Sequence, residues 1–182
     1  MLDKTALLVI DIQKAATGKG AKIKFGFARG GDYITNINRL ISYGQKIGWE
    51  ICYVAAVIEW HDLLAAAFTR FAFMKGSDGI KFDERLNVIN NNVFEKRRPS
   101  ALSSRKLVDF LKVKGIEQLV LCGLAADACV SATAISAIQK GYNVTVVSDC
   151  SVGFTDERAK VAFEKLAKQG IKIENTSEIK LR

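Results

Sequence analysis

The sequence predicts an α/β fold in which three layers, α/β/α, surround a mostly parallel, six-stranded sheet. Short and continuously apolar runs recur along the chain, as expected of strands that are buried on both faces. Amphipathic segments with capping residues lie between these runs, which is typical of helices that cover a parallel sheet. The 182 residues contain no internal repeat, linker or low-complexity tract. We therefore expect one domain over residues 1–182.

Strand and helix signals alternate from one end of the chain to the other. The predicted strands cover residues 5–10, 51–58, 92–95, 118–122, 143–147 and 171–173. Helices are predicted to begin at Asp32, at Ser103 or Ser104, near Ala128 and at Thr155, and the glycines that follow them are Gly48, Gly115, Gly141 and Gly170. Residues 13–31 are rich in glycine and lysine and are predicted to form a loop. Residues 63–73 are predicted to form a short helix or a lid.

The charge and hydropathy patterns limit the classes of partner. The formal net charge of +8 allows a nucleic-acid partner. The basic residues are spread over the whole chain, however, so a solvated basic surface explains them better and we do not expect nucleic-acid binding. No apolar run approaches the roughly 18 residues of a membrane span, and the first residues lack a signal-peptide pattern. We therefore expect a soluble, cytoplasmic protein with no membrane partner.

The four cysteines do not have the spacing of a metal site or a disulfide framework. Cys52 and Cys122 lie within apolar runs and are predicted to be buried strand residues. Cys129 differs, because it follows a Gly-Leu-Ala-Ala-Asp turn between a strand and a helix. With Asp127 as the predicted N-cap, Cys129 falls in the first helical turn, where free N–H groups favour a thiolate and stabilise an oxyanion. The alternative is a small buried cysteine that packs this helix on the sheet.

Three reactive side chains are predicted at one edge of the sheet. Asp11 follows the first strand, Lys96 ends the third, and Cys129 lies just beyond the fourth. In parallel sheets, ligands bind beyond the carboxyl ends of the strands, and a carboxylate, an ammonium and a thiol together make an activated nucleophile. Taken singly, Asp11 is equally explained as a carboxylate that accepts N–H groups of its loop, and Lys96 as a solvated lysine.

These residues lie in segments that resemble the isochorismatase-like cysteine hydrolase family, whose members include nicotinamidase, N-carbamoylsarcosine amidase and isochorismatase. Residues 7–13, LLVIDIQ, resemble the family's opening LLVID.Q segment. Residues 96–102, KRRPSAL, resemble its K..(R/Y).SAF segment, and residues 122–130, CGLAADACV, its CG..TD.CV turn. Residues 75–79 and 141–149 resemble weaker elements. The resemblance spans nearly the whole chain and implies a Rossmann-like fold.

The resemblance implies a catalytic triad of Asp11, Lys96 and Cys129. Asp11 would take the thiol proton, Lys96 would support the charged forms, and Cys129 would attack a carbonyl carbon. The backbone N–H groups of Ala125 and Cys129 would form the oxyanion hole, and the peptide bond before Ala125 is typically cis in the family. The substrate contacts that we expect on the same basis, or from their position near the triad, are Gln13, Trp60, Arg98 and Leu124. A solvated arginine and a core tryptophan are the alternatives for Arg98 and Trp60.

The sequence also departs from parts of the family pattern. Some nicotinamidase relatives hold a metal with three histidines, whereas His61 is the only histidine here. We therefore expect no metal and no cofactor, and we predict that His61 ends the second strand as a structural or pocket-lining residue. True isochorismatases can lack the cysteine, so retention of Cys129 favours cleavage of a C–N bond.

Three functions remain open at this point. The first is a cysteine-dependent amidohydrolase acting on a small amide, carbamoyl or ureido compound through a thioester. The second is a vinyl-ether hydrolase of the isochorismatase type, with Cys129 incidental. The third is a non-catalytic family member that binds or assembles with a partner. Family members commonly form dimers or tetramers, so the resemblance also implies a homo-oligomer.

Overall fold

A computed structural model describes residues 4–23, 25 and 32–180, and the strands of this part of the chain form one parallel sheet. Their order across the sheet is β3-β2-β1-β4-β5-β6, and every neighbouring pair is parallel. The strands are β1 (Thr5–Ile10), β2 (Glu50–Ala56), β3 (Val93–Lys96), β4 (Gln118–Leu124), β5 (Asn143–Val152) and β6 (Lys172–Glu174). This sheet confirms the predicted fold class. The chain order reverses between β1 and β4, where parallel sheets open a crevice for ligands.

Helices cover both faces of the sheet. They are α1 (Lys14–Thr17), α2 (Asp32–Lys46), α3 (Leu63–Phe68), α4 (Arg105–Lys114), α5 (Ser131–Gln139), α6 (Asp156–Ala167) and α7 (Thr176–Lys180). Within residues 4–23, 25 and 32–180, no helix is long and apolar enough to cross a membrane.

The side chains of β1 explain why both faces are apolar. Leu7 and Val9 belong to the core beneath α2, whereas Ala6, Leu8 and Ile10 belong to the core beneath α4 and α5. All five are fully buried. Because side chains alternate across a strand, a central strand between two helical layers has to be apolar at every position.

Several boundaries differ from those predicted. β5 continues five residues beyond the predicted end, because Ser151 and Val152 pair with the end of β4 after a register shift. Within this extension the Asp149 carboxylate accepts hydrogen bonds from the N–H and hydroxyl of Thr176, at 2.9 and 2.6 Å. The predicted loop of residues 13–31 contains α1, and its residues 24 and 26–31 lie outside the described part. The capping role predicted for the Asp32 side chain also lies outside it. Gly115 ends α4 in the left-handed conformation, and the Thr155 hydroxyl caps α6, as predicted.

Gly123, near the end of β4, allows the closest backbone approach to β1. Its φ is +119°, and a Cβ atom there would lie 2.0 Å from the Ile10 carbonyl oxygen. A real Cβ cannot come so near a backbone atom, so only glycine fits without moving the strands apart. This contact joins the ends of the two strands that precede Asp11 and Cys129.

We expect Gly123→Ala to lower the free energy of unfolding by more than ~3 kcal/mol, because it combines a backbone clash with an unfavourable φ. Gly141→Ala is the matched control. Its φ is +86° and nothing lies within 4 Å of the added Cβ, so we expect a loss of about 1–2 kcal/mol. Urea unfolding measures both, and equal losses would contradict the close approach.

Candidate active site

Asp11 is held in an unusual backbone conformation directly after β1. Its φ is +57°, in the left-handed region that Asp enters more readily than most residues. Its N–H donates to the Val54 carbonyl at 2.9 Å, and its own carbonyl accepts from the Gln13 N–H at 2.9 Å. Asp11 is only 4% exposed. The backbone thus fixes a buried carboxylate at the carboxyl edge of the sheet.

Lys96, the last residue of β3, is also buried, at 2% exposure. Its Nζ lies 2.9 Å from Asp11 Oδ2, 3.3 Å from Cys129 Sγ and 3.4 Å from the Arg98 carbonyl oxygen. The three N–H donors of the ammonium therefore have three acceptors. The alternative of a solvated lysine is wrong.

Cys129 lies in a π-helical turn, Ala126–Val130, that precedes α5. The turn is closed by hydrogen bonds from the N–H groups of Ala128 and Val130 to the Ala125 carbonyl, at 2.9 and 3.0 Å. The Leu124–Ala125 peptide bond is cis, as the resemblance implies. Cys129 is partly exposed, unlike Asp11 and Lys96. Of the three residues, Cys129 is therefore the most exposed.

Burial, together with the negative charge of Asp11, keeps the Cys129 thiol protonated. Burial, followed by the negative charge of Asp11, raises the pKa of the Cys129 thiol to about 12, although the positive charge of Lys96 lowers it. Burial also lowers the pKa of Lys96, but Asp11 and Cys129 outweigh this effect and leave that pKa above its ordinary value. At neutral pH the site thus holds a protonated thiol beside the Lys96 ammonium, which differs from the thiolate expected at a helix start. Desolvation dominates over the helix terminus here.

A threonine that sequence reasoning missed connects the two chain segments of the site. Thr133 is fully buried. Its hydroxyl donates to the Cys129 carbonyl at 2.7 Å and accepts from the Ala101 N–H at 2.9 Å. Ala101 lies five residues beyond Lys96, so one hydroxyl joins the lysine segment to the cysteine turn. The spacing of four residues from Cys129 is the available signal, because Thr in a helix often bonds the carbonyl four residues earlier.

The predicted N-cap role of Asp127 is wrong. The N-cap position of the turn is Ala125, and Asp127 lies within the turn itself. It instead accepts from the Phe154 N–H at 3.1 Å and pairs with Arg158 of α6 at 2.5 Å. A tertiary partner has replaced the local one, and the cysteine turn is thereby attached to the start of α6.

The chain matches the model of a known protein family over nearly its whole length. The profile of the Isochorismatase domain matches residues 5–178. The chain belongs to the isochorismatase family. Relatives in this family include amidohydrolases, so the protein is an isochorismatase-family hydrolase.

Relatives match over most of the chain. The Bacillus subtilis isochorismatase family protein YddQ is 29% identical over 146 residues, which cover 80% of this chain and 76% of YddQ. The ureidoacrylate amidohydrolase RutB of Yersinia enterocolitica is 29% identical over 153 residues, covering 71% of this chain and 66% of RutB. The structure of an isochorismatase-like hydrolase from Alkaliphilus metalliredigens superposes with a TM-score of 0.84, at 25% identity and 97% coverage of both chains.

Two of the four expected substrate contacts of this isochorismatase-family hydrolase are buried. Gln13 is fully buried, and its amide donates to the Ala56 and Ile80 carbonyls at 3.0 and 2.8 Å and accepts from the Ala56 N–H at 2.9 Å. This amide therefore fixes the backbone around the site, and the expectation of a substrate contact through it is wrong. Leu124 is 1% exposed and packs in the core, so its side chain is likewise closed to a substrate.

The other two expected contacts are on the surface. Trp60 is 65% exposed, so the alternative of a core tryptophan is wrong. Arg98 is exposed, and its carbonyl accepts from Lys96 Nζ at 3.4 Å. His61 is exposed and lies five residues beyond the end of β2, so its predicted place at the strand end is wrong. In the described part of the chain, no group of three His, Cys, Asp or Glu residues could hold a metal.

The opposite effects of Asp11 and Lys96 on the Cys129 thiol give a prediction for its pKa. In Asp11→Asn, the neighbouring negative charge is gone while Lys96 stays, so we expect the pKa of Cys129 to fall and its alkylation near pH 7 to rise about tenfold per pKa unit. In Lys96→Met, we expect the opposite shift. The measurement is the pH profile of iodoacetamide labelling, with the modified residue located by peptide mass mapping.

Asp109→Asn, which removes an exposed carboxylate on α4, is the control and should keep the wild-type profile. Circular dichroism checks that each variant is folded. If neither site variant shifted the profile, the electrostatic coupling of the three groups would be refuted.

Proposed function

We propose that this protein is a cysteine-dependent amidohydrolase that cleaves a C–N bond of a small amide, carbamoyl or ureido compound. Cys129 is the nucleophile, Asp11 the proton acceptor and donor, and Lys96 the group that stabilises their charged forms. The reaction passes through a thioester and consumes one water molecule.

One observation supports this proposal above the others. Asp11 Oδ1 is buried and has no hydrogen-bond partner among the described residues, while Oδ2 is occupied by Lys96 at 2.9 Å. A buried carboxylate oxygen without a hydrogen-bond partner lowers stability, so its presence calls for a functional explanation. The same carboxylate acts on the Cys129 thiol. Oδ1 is therefore the oxygen available to accept the thiol proton.

The proton transfer leaves the net charge of the site unchanged. When the thiol proton moves to Asp11, a thiolate replaces the carboxylate as the anion, and Lys96 contacts both at 3.3 and 2.9 Å. The transfer therefore creates no new charge in the buried site. Creating an unpaired ion there would cost on the order of several kcal/mol. This explains how a thiol with a raised pKa can serve as a nucleophile.

The full cycle follows from these roles. The sulfur bonds to the substrate carbonyl carbon as its proton passes to Asp11. The C–N bond then breaks, the departing nitrogen takes the proton from Asp11, and a thioester remains. Water attacks the thioester, gives a proton to Asp11, and Asp11 returns it to the sulfur as the acid leaves. The N–H groups of Ala125 and Cys129 are proposed to stabilise the oxyanion in both halves.

The family relatives favour C–N cleavage. RutB is a ureidoacrylate amidohydrolase, and it matches this chain over 153 residues. For the substrate itself, Arg98 and Trp60 remain proposed contacts, because both are exposed. An arginine favours a carboxylate on the substrate, and an indole favours a planar group. We also propose that the protein acts in the cytoplasm.

We expect Cys129→Ala to abolish hydrolysis in a screen of small amides and ureido acids that the wild-type protein turns over. Without the sulfur, no covalent intermediate forms. The measurement is product release, together with intact mass of acid-quenched wild-type protein, which should show an adduct equal to the acyl group.

Cys52→Ala is the matched control, since Cys52 is a buried cysteine of the sheet and should leave turnover unchanged. Full activity of Cys129→Ala would contradict the proposal and favour vinyl-ether hydrolysis. Failure of any acyl electrophile to label Cys129 selectively would favour a non-catalytic family member.

A further inference from the structure

A cavity opens where β5 extends beyond its neighbour at the edge of the sheet. β6 pairs with β5 only over residues 145–147 of β5, whereas β5 continues to Val152. In the described part of the chain, the end of β5 therefore has no strand on its outer side. α6 and Tyr33 of α2 line the space beside it, which has a volume of about 580 Å³. This volume lies within the range of small-molecule sites.

The cavity between β5 and α6 has an acidic lining on a basic protein. The charged residues that line it are Asp149, Asp156, Glu157, Glu164 and Lys160. The whole chain, in contrast, has 27 basic and 19 acidic residues, which give the net charge of +8. The local charge of the cavity is therefore opposite in sign to that of the protein. A cleft lined by negative charge attracts a cation and repels an anion.

The carboxylates that α6 contributes are available to a ligand. Asp156, Glu157 and Glu164 are exposed, and among the described residues none of them forms an ion pair, including with Lys160 on the same helix. Asp149 differs, because its carboxylate already accepts two hydrogen bonds from the start of α7. In the described part of the chain, no group of three His, Cys, Asp or Glu residues could hold a metal. The acidic lining is therefore not arranged as a metal site.

A buried hydroxyl gives a second and independent reason to expect a ligand. Ser151 lines the cavity and is only 5% exposed. Its Oγ has no hydrogen-bond partner among the described residues. Buried hydroxyls in proteins are usually paired, because an unpaired one lowers stability. A ligand that donates an N–H group to this oxygen would pair it, and an ammonium has three such donors.

The rest of the lining includes apolar side chains. Val152, Ala159 and Phe163 line the same cavity, and Ala159 is 8% exposed while the other two are half-buried. A small hydrated cation gains nothing from hydrocarbon walls. An ammonium with a hydrocarbon body removes apolar surface from water and keeps its charged end near the carboxylates. The lining therefore favours an organic cation.

From these observations we propose that the cavity between β5 and α6 binds a small organic ammonium ion with a hydrocarbon body. The ammonium donates to Ser151 Oγ within the negative potential of the α6 carboxylates, and the hydrocarbon packs on Val152 and Phe163. No member of the proposed catalytic triad lines this cavity. The proposal does not depend on the reaction that the active site performs.

The test is the affinity for hexylammonium, measured by isothermal titration calorimetry at low ionic strength. We expect the wild-type protein to bind hexylammonium at least about tenfold more tightly than hexanol or hexanoate, because a charged hydrogen-bond donor is lost in the alcohol and the charge is reversed in the acid. A wild-type protein that does not bind hexylammonium, or that binds the three probes equally, would overturn the proposal.

Charge variants test whether the probe binds in this cavity. Glu164→Gln should weaken hexylammonium binding roughly threefold, as expected for an exposed charge pair. Lys160→Gln should strengthen binding by a similar factor, because it removes a positive charge from the lining. Glu117→Gln is the matched control and should keep the wild-type affinity, because Glu117 is exposed and precedes β4, at the opposite edge of the sheet. Equal affinities of all variants would show that the probe binds elsewhere.

Two further variants separate this site from the fold and from the active site. Ser151→Ala should weaken hexylammonium binding at least about tenfold without lowering the urea midpoint of the free protein, since its Oγ loses no partner. Lower stability with unchanged affinity would overturn the contact with Ser151. Cys129→Ala should bind hexylammonium as the wild type does. Loss of binding in Cys129→Ala would place the probe in the active site and overturn the proposal.

Discussion

The structure of this site depends on one buried ion pair, between Asp11 and Lys96. The two side chains are 4% and 2% exposed, and their charged atoms are 2.9 Å apart. Removing either partner would leave an uncompensated charge in the core, which costs about 3–5 kcal/mol. Because β2 lies between β1 and β3 in the sheet, the pair spans the end of β2 and requires all three strands to stay in register. The third member, Cys129, is aligned against this pair from the opposite side of β1.

The surrounding residues explain how Cys129 stays aligned with two buried charges. Gly123 lets the end of β4 touch the end of β1, so the cysteine turn starts beside Asp11. Thr133 joins this turn to the segment after Lys96 through two hydrogen bonds. Asp127 attaches the turn to α6. Each contact joins segments far apart in sequence, and together they hold the nucleophile in one position, as catalysis by pre-organised groups requires.

The sequence predicted what depends on local pattern and missed what depends on tertiary partners. The central strands β1, β2 and β4 follow from continuous apolar runs, since a strand buried on both faces has no polar position. Asp11, Lys96 and Cys129 were predicted to meet because each ends or follows a parallel strand. Asp127 and Gln13 were assigned wrongly, because Phe154, Arg158, Ala56 and Ile80, which satisfy them, are distant in sequence. The protonated thiol was missed because burial cannot be measured from a helix-start pattern.

The most direct test of the account is a double-mutant cycle on the buried pair, with the free energy of unfolding measured by urea denaturation. The account predicts that Asp11→Asn and Lys96→Met each cost about 3–5 kcal/mol, because each leaves one charge buried alone. The double variant leaves no such charge, so it should be more stable than either single variant, with a coupling of at least about 2 kcal/mol. Additive losses, or single variants as stable as the wild type, would contradict the central role of the pair.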